Sequence, residues 1–313
     1  MPFIRKPRTL KPLGAVTIGT GERAVTLGGG NTLPLYFFDA KPSGVPAVGV
    51  ELTDTAWEAA ELPLLAKAYE GANTLAERVV RAAGMKGVDF VCLRLEGADP
   101  GGDNLSVEEC AKLAREASAA CTKPLCIAGC RSEEKDVELF KALAQALEGQ
   151  NVLFLSAKEE NYKTIGAATV LAYGHKVAGE SSVDINLAKQ LNVLMTQLGI
   201  PKESIAMNLG SAAVGYGFEY LSSTMDRVKA AALEQDDTML QMPVITQIST
   251  ETWAVKESMA SQADMPEWGD LEQRGIQMET VTAAACLASG SDAVILRHPV
   301  AVDKIAALVA ALI

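Results

Sequence analysis

The residues that could do chemistry in this chain cluster first in the stretch AMNLGSAAVGYGFEYL, Ala206 to Leu221. Asn208 leads it, Gly210, Gly215 and Gly217 follow, and Tyr216, Phe218 and Tyr220 interleave with the last glycine. Gly210 and Gly215 have the G-x-x-x-x-G spacing of a loop that wraps phosphates in backbone N–H groups. Such a loop needs Lys and then Ser or Thr after its second glycine. Tyr216 and Gly217 occupy those positions, so a phosphate cradle fails on chemistry. The glycines instead let the backbone turn tightly or approach a neighbour. Two aromatic rings projecting from such a loop would imply a partner surface. The alternative is that Phe218 and Leu221, at i and i+3, face inward as ordinary helix core.

The remaining reactive types are sparse. Cys121, Cys126 and Cys130 have four and then three residues between them, which matches no cluster-binding run. Cys126 and Cys130 sit at the apolar run Leu125 to Ala128, where a buried small hydrophobe is the plain reading. His175 and His298, the two histidines, are too far apart to build a His-rich metal shell. Glu96 and Glu180 would need a defined separation for acid–base work, and a carboxylate paired with a neighbour such as Arg94 or Arg297 is the simpler expectation. No G-x-S-x-G elbow occurs. No catalytic residue and no metal ligand is therefore assigned.

Bulk properties narrow the class. A chain of 313 residues with a formal charge of −11 and no run of Lys or Arg is a poor match for nucleic acid or an anionic membrane. No apolar stretch reaches membrane-spanning length, and MPFIRKPRTLKPLG has cations without an apolar segment behind them. A soluble, unexported, cytoplasmic protein with reduced cysteines is expected.

Short apolar runs alternate with helical patterns about eight times. The expected strands are Ala47–Leu52, Phe90–Leu95, Leu125–Ala128, Val152–Leu155, Lys176–Ala178, Ile205–Leu209, Val244–Ile248 and Ala293–Leu296. Continuous rather than alternating apolarity suits strands buried on both faces of a parallel sheet. Helices are expected over Val107–Ala120, Glu133–Leu147 and Ile185–Leu198, N-capped by Ser106, Ser132 and Asp184. The pattern points to one α/β TIM (β/α)8 barrel over residues 45–313. It is preceded by a lead-in and N-terminal β-hairpin over residues 1–44, with strands Ala15–Ile18 and Ala24–Leu27. The hairpin should cover one end of the barrel, and the insertion STETWAVKESMASQADMPEWGDLEQ should lie over the other.

Chemistry in such a barrel belongs at the C-terminal strand ends. Those positions are Asp54, Glu96, Cys130, Ser156, Glu180, Asn208, Gln247 with Thr250, and Arg297 with His298. The set is polar and chemically quiet.

The segments GGGNTLPLYFFD, PAVGVEL, DFVCLRLEGADP, NLGSAAVGYGFEYLSSTMDR and DAVILRHP resemble the small subunit of the corrinoid iron–sulfur protein of the reductive acetyl-CoA (Wood–Ljungdahl) pathway. The delta subunit of the archaeal acetyl-CoA decarbonylase/synthase complex belongs to the same family. The resemblance implies a TIM barrel related to pterin-binding methyltransferases, in a heterodimer with a large subunit. That large subunit carries a [4Fe–4S] cluster and the cobalamin (corrinoid) domain, and the small subunit covers the corrinoid. The methyl group passes from methyltetrahydrofolate to cobalt and on to acetyl-CoA synthase. Methyltransferase, acetyl-CoA synthase and a reductive activator would then be transient partners.

The residues agree with that division of labour. A chain that ligates cobalt by histidine shows D-x-H-x-x-G, whereas Tyr173 and Ala178 stand at the matching positions around His175. The candidate corrinoid-facing residues are Asn208, Gly210, Gly215, Tyr216, Gly217, Gln247 and Thr250, chosen for rim position. The other reading is a free-standing pterin-dependent methyltransferase on the same fold, to which Cys130 and Ser156 offer poor pterin acceptors.

Overall fold

The computed structural model describes residues 10–36, 44–55 and 62–313. The first nine residues of the lead-in, and the Phe37–Asp39 end of GGGNTLPLYFFD beside the 44/45 boundary, lie outside the described residues.

A hairpin, β1 (Ala15–Ile18) and β2 (Val25–Gly28), comes first. Eight parallel strands follow: β3 (Ala47–Thr53), β4 (Phe90–Arg94), β5 (Leu125–Ala128), β6 (Leu153–Ala157), β7 (Lys176–Glu180), β8 (Ile205–Asn208), β9 (Ile245–Gln247) and β10 (Ala293–Leu296). Their order is β8-β7-β6-β5-β4-β3-β10-β9. A parallel bridge between Met207 and Val244 joins β8 to β9 and closes the sheet into a barrel. β5 and β10 have the expected bounds, and the other barrel strands differ by one or two residues at one or both ends. β3, β6 and β7 stay paired past their apolar runs, whereas around β4, β8 and β9 the apolar run continues where pairing stops.

The helices around it are α1 (Pro63–Ala68), α2 (Leu75–Ala83), α3 (Val107–Ala120), α4 (Glu133–Ala146), α5 (Tyr162–Gly166), α6 (Ile185–Gln197), α7 (Phe218–Glu234), α8 (Ile248–Thr252), α9 (Lys256–Met259), α10 (Leu271–Ser289) and α11 (Pro299–Leu312). Ser106 caps α3 in a reciprocal pair with Glu109, and Asp184 caps α6 through Asn186 N and Leu187 N. Ser132 makes no side-chain cap. The nearby loop donor, Cys130 N, is met at 2.7 Å by Asp136 Oδ1 from within α4.

Each strand is apolar on both faces because it separates two cores. On β4, Phe90 and Cys92 point into the barrel, while Val91 and Leu93 pack against the helices. The barrel interior is filled by Phe90, Cys126, Leu153, Leu155, Ile245 and Ile295, among others. From the N-terminal end Val16, Ile18 and Leu27 of the hairpin join this inner cluster. Asn151, just before β6, fastens the hairpin by donating to Thr17 O and Gly19 O at 2.9 Å each. That end of the barrel is plugged, so the C-terminal mouth is the open end.

Candidate functional site

Side chains alternate along a strand, so the inward series can be continued to the mouth. Ala47 and Gly49 lead to Glu51, Phe90 and Cys92 to Arg94, and Ile245 to Gln247. Ala178 leads likewise to Glu180, Ala206 to Asn208, and Ala293 with Ile295 to Arg297. Above its apolar layers the barrel thus ends in a polar layer.

One half of that layer is a closed ion-pair lattice around Glu51, which is 1% exposed. Arg94 Nε donates to Glu51 Oε2 at 3.2 Å and Gln247 Nε2 to the same oxygen at 2.6 Å, while Arg297 reaches Oε1 at 3.4 Å. Arg94 also donates to Gly129 O at 3.1 Å and to Thr250 Oγ1 at 2.7 Å. Burial alone would raise the Glu51 carboxyl, but the Arg94 and Arg297 guanidinium groups and the hydrogen bond from Gln247 outweigh it. The group is held at about 2. Gln247 and Thr250, expected at a contact surface, spend these polar atoms inside the lattice.

The other half is looser. Asn208, 6% exposed, donates from Nδ2 to Ser156 Oγ at 2.8 Å and towards Glu180 Oε2 at 3.5 Å, and its Oδ1 accepts from Gly210 N at 3.1 Å. Lys158 donates to Glu133 Oε1 at 2.7 Å and stands 3.9 Å from Glu180 Oε1. Glu96 instead accepts from Thr55 Oγ1 at 3.2 Å. Glu96 and Glu180 therefore keep separate partners.

The glycine loop joins this half to α7. Gly210 has φ +91° and lies so close to the neighbouring loop that a Cβ would come 3.3 Å from Ser182 Cα. Gly217, at φ 82°, starts α7 in the left-handed region that a side chain disfavours. Leu221 is buried and Phe218 packs partly against the core, whereas Tyr216 and Tyr220 are 46% and 67% exposed. Both sequence alternatives are thus realised, on different residues. The Tyr216 hydroxyl donates to Glu257.

Thr250 brings the start of α8 to the mouth, but the rest of the insertion packs beside α10, with Trp253 stacked on His298 at 5.9 Å. Both histidines are fully buried. His175 contacts Ala144 O through Nε2 at 2.8 Å, and His298 contacts Glu272 Oε1 through Nε2 at 3.1 Å. All six cysteines are buried and free, and burial pushes the Cys130 thiol up to about 12. Among the described residues no group of three or more His, Cys, Asp or Glu is placed to hold a metal ion, and no helix is long and apolar enough to cross a membrane.

Sequence reasoning missed Glu51 and the ion pairs of Lys158 with Glu133 and Glu180. The signal for Glu51 lies in the inward alternation: Asp54 follows the strand, whereas Glu51 is an inward position within it.

The family described as CO dehydrogenase/acetyl-CoA synthase delta subunit matches residues 15–299. The chain belongs to that family. Among other delta-family members, the acetyl-CoA decarbonylase/synthase complex subunit delta of Archaeoglobus fulgidus is 33% identical over 294 residues, covering 91% of this chain and 63% of the relative. The subunit delta of Methanopyrus kandleri is 32% identical over 291 residues, covering 92% and 70%. This delta-family chain thus spans roughly two thirds of the length of these relatives. Its fold is shared with dihydropteroate synthase of Vibrio fischeri, at a TM-score of 0.56, 12% identity and coverage of 95% and 98%. The enzyme of Xanthomonas albilineans matches at 0.55, 14%, 96% and 98%. At such identities the likeness shows the barrel alone.

Proposed function

We propose that this chain is the small subunit of a heterodimeric corrinoid iron–sulfur protein and caps the cobalamin held by a large subunit during methyl transfer from methyltetrahydrofolate to acetyl-CoA synthase. The observation that carries the reading is the form of the mouth in a delta-family barrel. Its interior is filled by the Glu51 lattice, while its outer edge offers a hydrogen-bonding arc and two exposed tyrosines. Such an edge suits a broad ligand laid across it rather than a small substrate sunk into it.

The donor set fits a corrinoid periphery, which is apolar in its ring and amide-bearing at its edge. Ser156 and Glu180 supply polar groups held in place by Asn208, the Gly210–Gly217 backbone allows close approach, and Tyr216 supplies an apolar face with a polar tip. Gln247 and Thr250 act from beneath, by holding the lattice. Bound cobalamin supplies a cobalt centre that accepts and releases the methyl group. This chain's residues orient the macrocycle's edge and exclude water from it. His175 and His298 are internal, so the residues that would face the cofactor from this chain are those of the mouth and not its histidines. The [4Fe–4S] cluster belongs to the large subunit, with methyltransferase, acetyl-CoA synthase and a reductive activator as transient partners in the cytoplasm.

Expressing the chain alone and together with the corrinoid-bearing partner, and recording mass by size exclusion with cobalamin absorbance, tests the reading. A colourless chain alone and a coloured, iron-containing heterodimer are expected. A homo-oligomer that ignores the partner and binds methyltetrahydrofolate would overturn the proposal in favour of a free-standing methyltransferase.

A further inference from the structure

We propose that the arc formed by β6, β7 and β8 is a carboxamide-reading subsite, with Ser156, Glu180 and Lys158 as the contact groups and Asn208 as the positioning residue. The inference rests on the capping reading and says which part of the mouth reads the corrinoid edge, and by what chemistry.

Asn208 is spent internally. A carboxylate only accepts, so the face of the Asn208 amide towards Glu180 must be its NH2. With that orientation set, the same NH2 donates to Ser156 Oγ and the carbonyl takes the Gly210 N–H. Both NH2 hydrogens of Asn208 are thereby spent and its carbonyl is engaged, and its neighbours are left poised. Because Ser156 Oγ accepts from Asn208, the serine keeps its own proton to donate. Glu180 Oε1 lies 3.9 Å from Lys158 Nζ, beyond hydrogen-bond range, so that oxygen keeps its acceptor capacity. Lys158 is tethered to Glu133 and has further ammonium hydrogens to offer.

The three groups therefore present two donors and an acceptor side by side. The Glu180 and Lys158 side chains are 26% and 37% exposed, accessible yet anchored. A primary carboxamide is the complement of this set, with N–H groups for Glu180 and a carbonyl for Ser156 or Lys158. A carboxylate of the same shape would set a second negative charge against Glu180, and the Lys158 ammonium beside it is already paired with Glu133. On the opposite arc, Glu51 is occupied by Arg94, Gln247 and Arg297, so recognition falls to this side.

The test uses the reconstituted complex with its corrinoid-bearing partner, titrated by visible absorbance with dicyanocobinamide and, separately, dicyanocobyrinic acid, whose side chains are carboxylic acids. The wild-type complex is expected to prefer the amide form by about ten- to a hundredfold, the range of a charge-assisted hydrogen bond. Glu180→Lys should abolish or reverse that preference, and Ser156→Ala should weaken amide binding alone. Asn208→Ala should reduce the preference without removing any contact group, and melting curves identify variants that fail to fold. Corrinoid binding that is identical with and without this chain overturns the capping reading and the subsite together. Binding that depends on this chain but keeps the same amide preference in folded Glu180→Lys and Ser156→Ala complexes overturns the subsite alone.

Discussion

Gln247 and Glu51 lie 196 positions apart in sequence and 2.6 Å apart across the barrel mouth. The bond spans β10, Arg297 just past the end of that strand reaches the same carboxylate, and Arg94 approaches from β4. A single buried acid thus ties together the ends of four strands, and the charge on Glu51 becomes a determinant of stability.

The Glu51 carboxyl is held at about 2, below its ordinary 4.5. A group depressed on folding stabilises above its unfolded value, and that stabilisation is lost as pH falls through the folded value. Stability measured by urea unfolding should therefore decline between about pH 4.5 and 2, by an order of about 3 kcal/mol from this group. Glu51→Gln leaves the buried Arg94 guanidinium and the half-buried Arg297 guanidinium undercompensated and should cost about 3–5 kcal/mol at pH 7. An unchanged unfolding midpoint in that variant would show that the lattice is not structural.

Glu279 behaves with the opposite sign. It is fully buried, which pushes its carboxyl up to about 7 even though Arg297 N and His298 N donate to it at 2.6 and 3.0 Å. Its protonated form is favoured by folding, so its contribution is complete below about pH 4.5 and lost as pH rises to about 7. Glu279→Gln removes this slope but turns an NH2 towards one of two backbone donors, costing about 1–3 kcal/mol. The deficit against wild type should be larger at pH 5 than at pH 8, and an equal deficit at both would contradict the assignment.

Gly49 is required for packing rather than for its backbone angles. A Cβ on it would overlap the ring of Phe90 inside the barrel. Gly49→Ala is expected to destabilise the fold by about 1–3 kcal/mol, as overpacked cores do. The paired change Gly49→Ala with Phe90→Leu should recover part of that loss in thermal unfolding.

Tyr216 and Tyr220 are exposed, so replacing them should cost the isolated fold little, within about 1 kcal/mol. If the loop meets the large subunit, Tyr216→Ala with Tyr220→Ala should raise the dissociation constant of the heterodimer about ten- to a hundredfold in surface-binding measurements. Unaltered affinity in the folded double variant would exclude the loop from the interface.

Much of this architecture was legible because its rules are local. Continuous burial in runs such as Phe90–Arg94 and the reciprocal cap of Ser106 with Glu109 depend on residues within one element, so strand number, helix starts and barrel class follow from order along the chain. The polar layer at the mouth was also written there, in the inward series that ends at Glu51, Arg94 and Asn208, although it had to be counted from within each strand rather than from its end. Pairing was not legible. Which cations meet Glu51, whether Gln247 faces a ligand or the lattice, and which of Tyr216, Phe218 and Tyr220 are covered depend on strands brought together only when the sheet closes. Closure sets distances between residues hundreds of positions apart, and no local period carries that information.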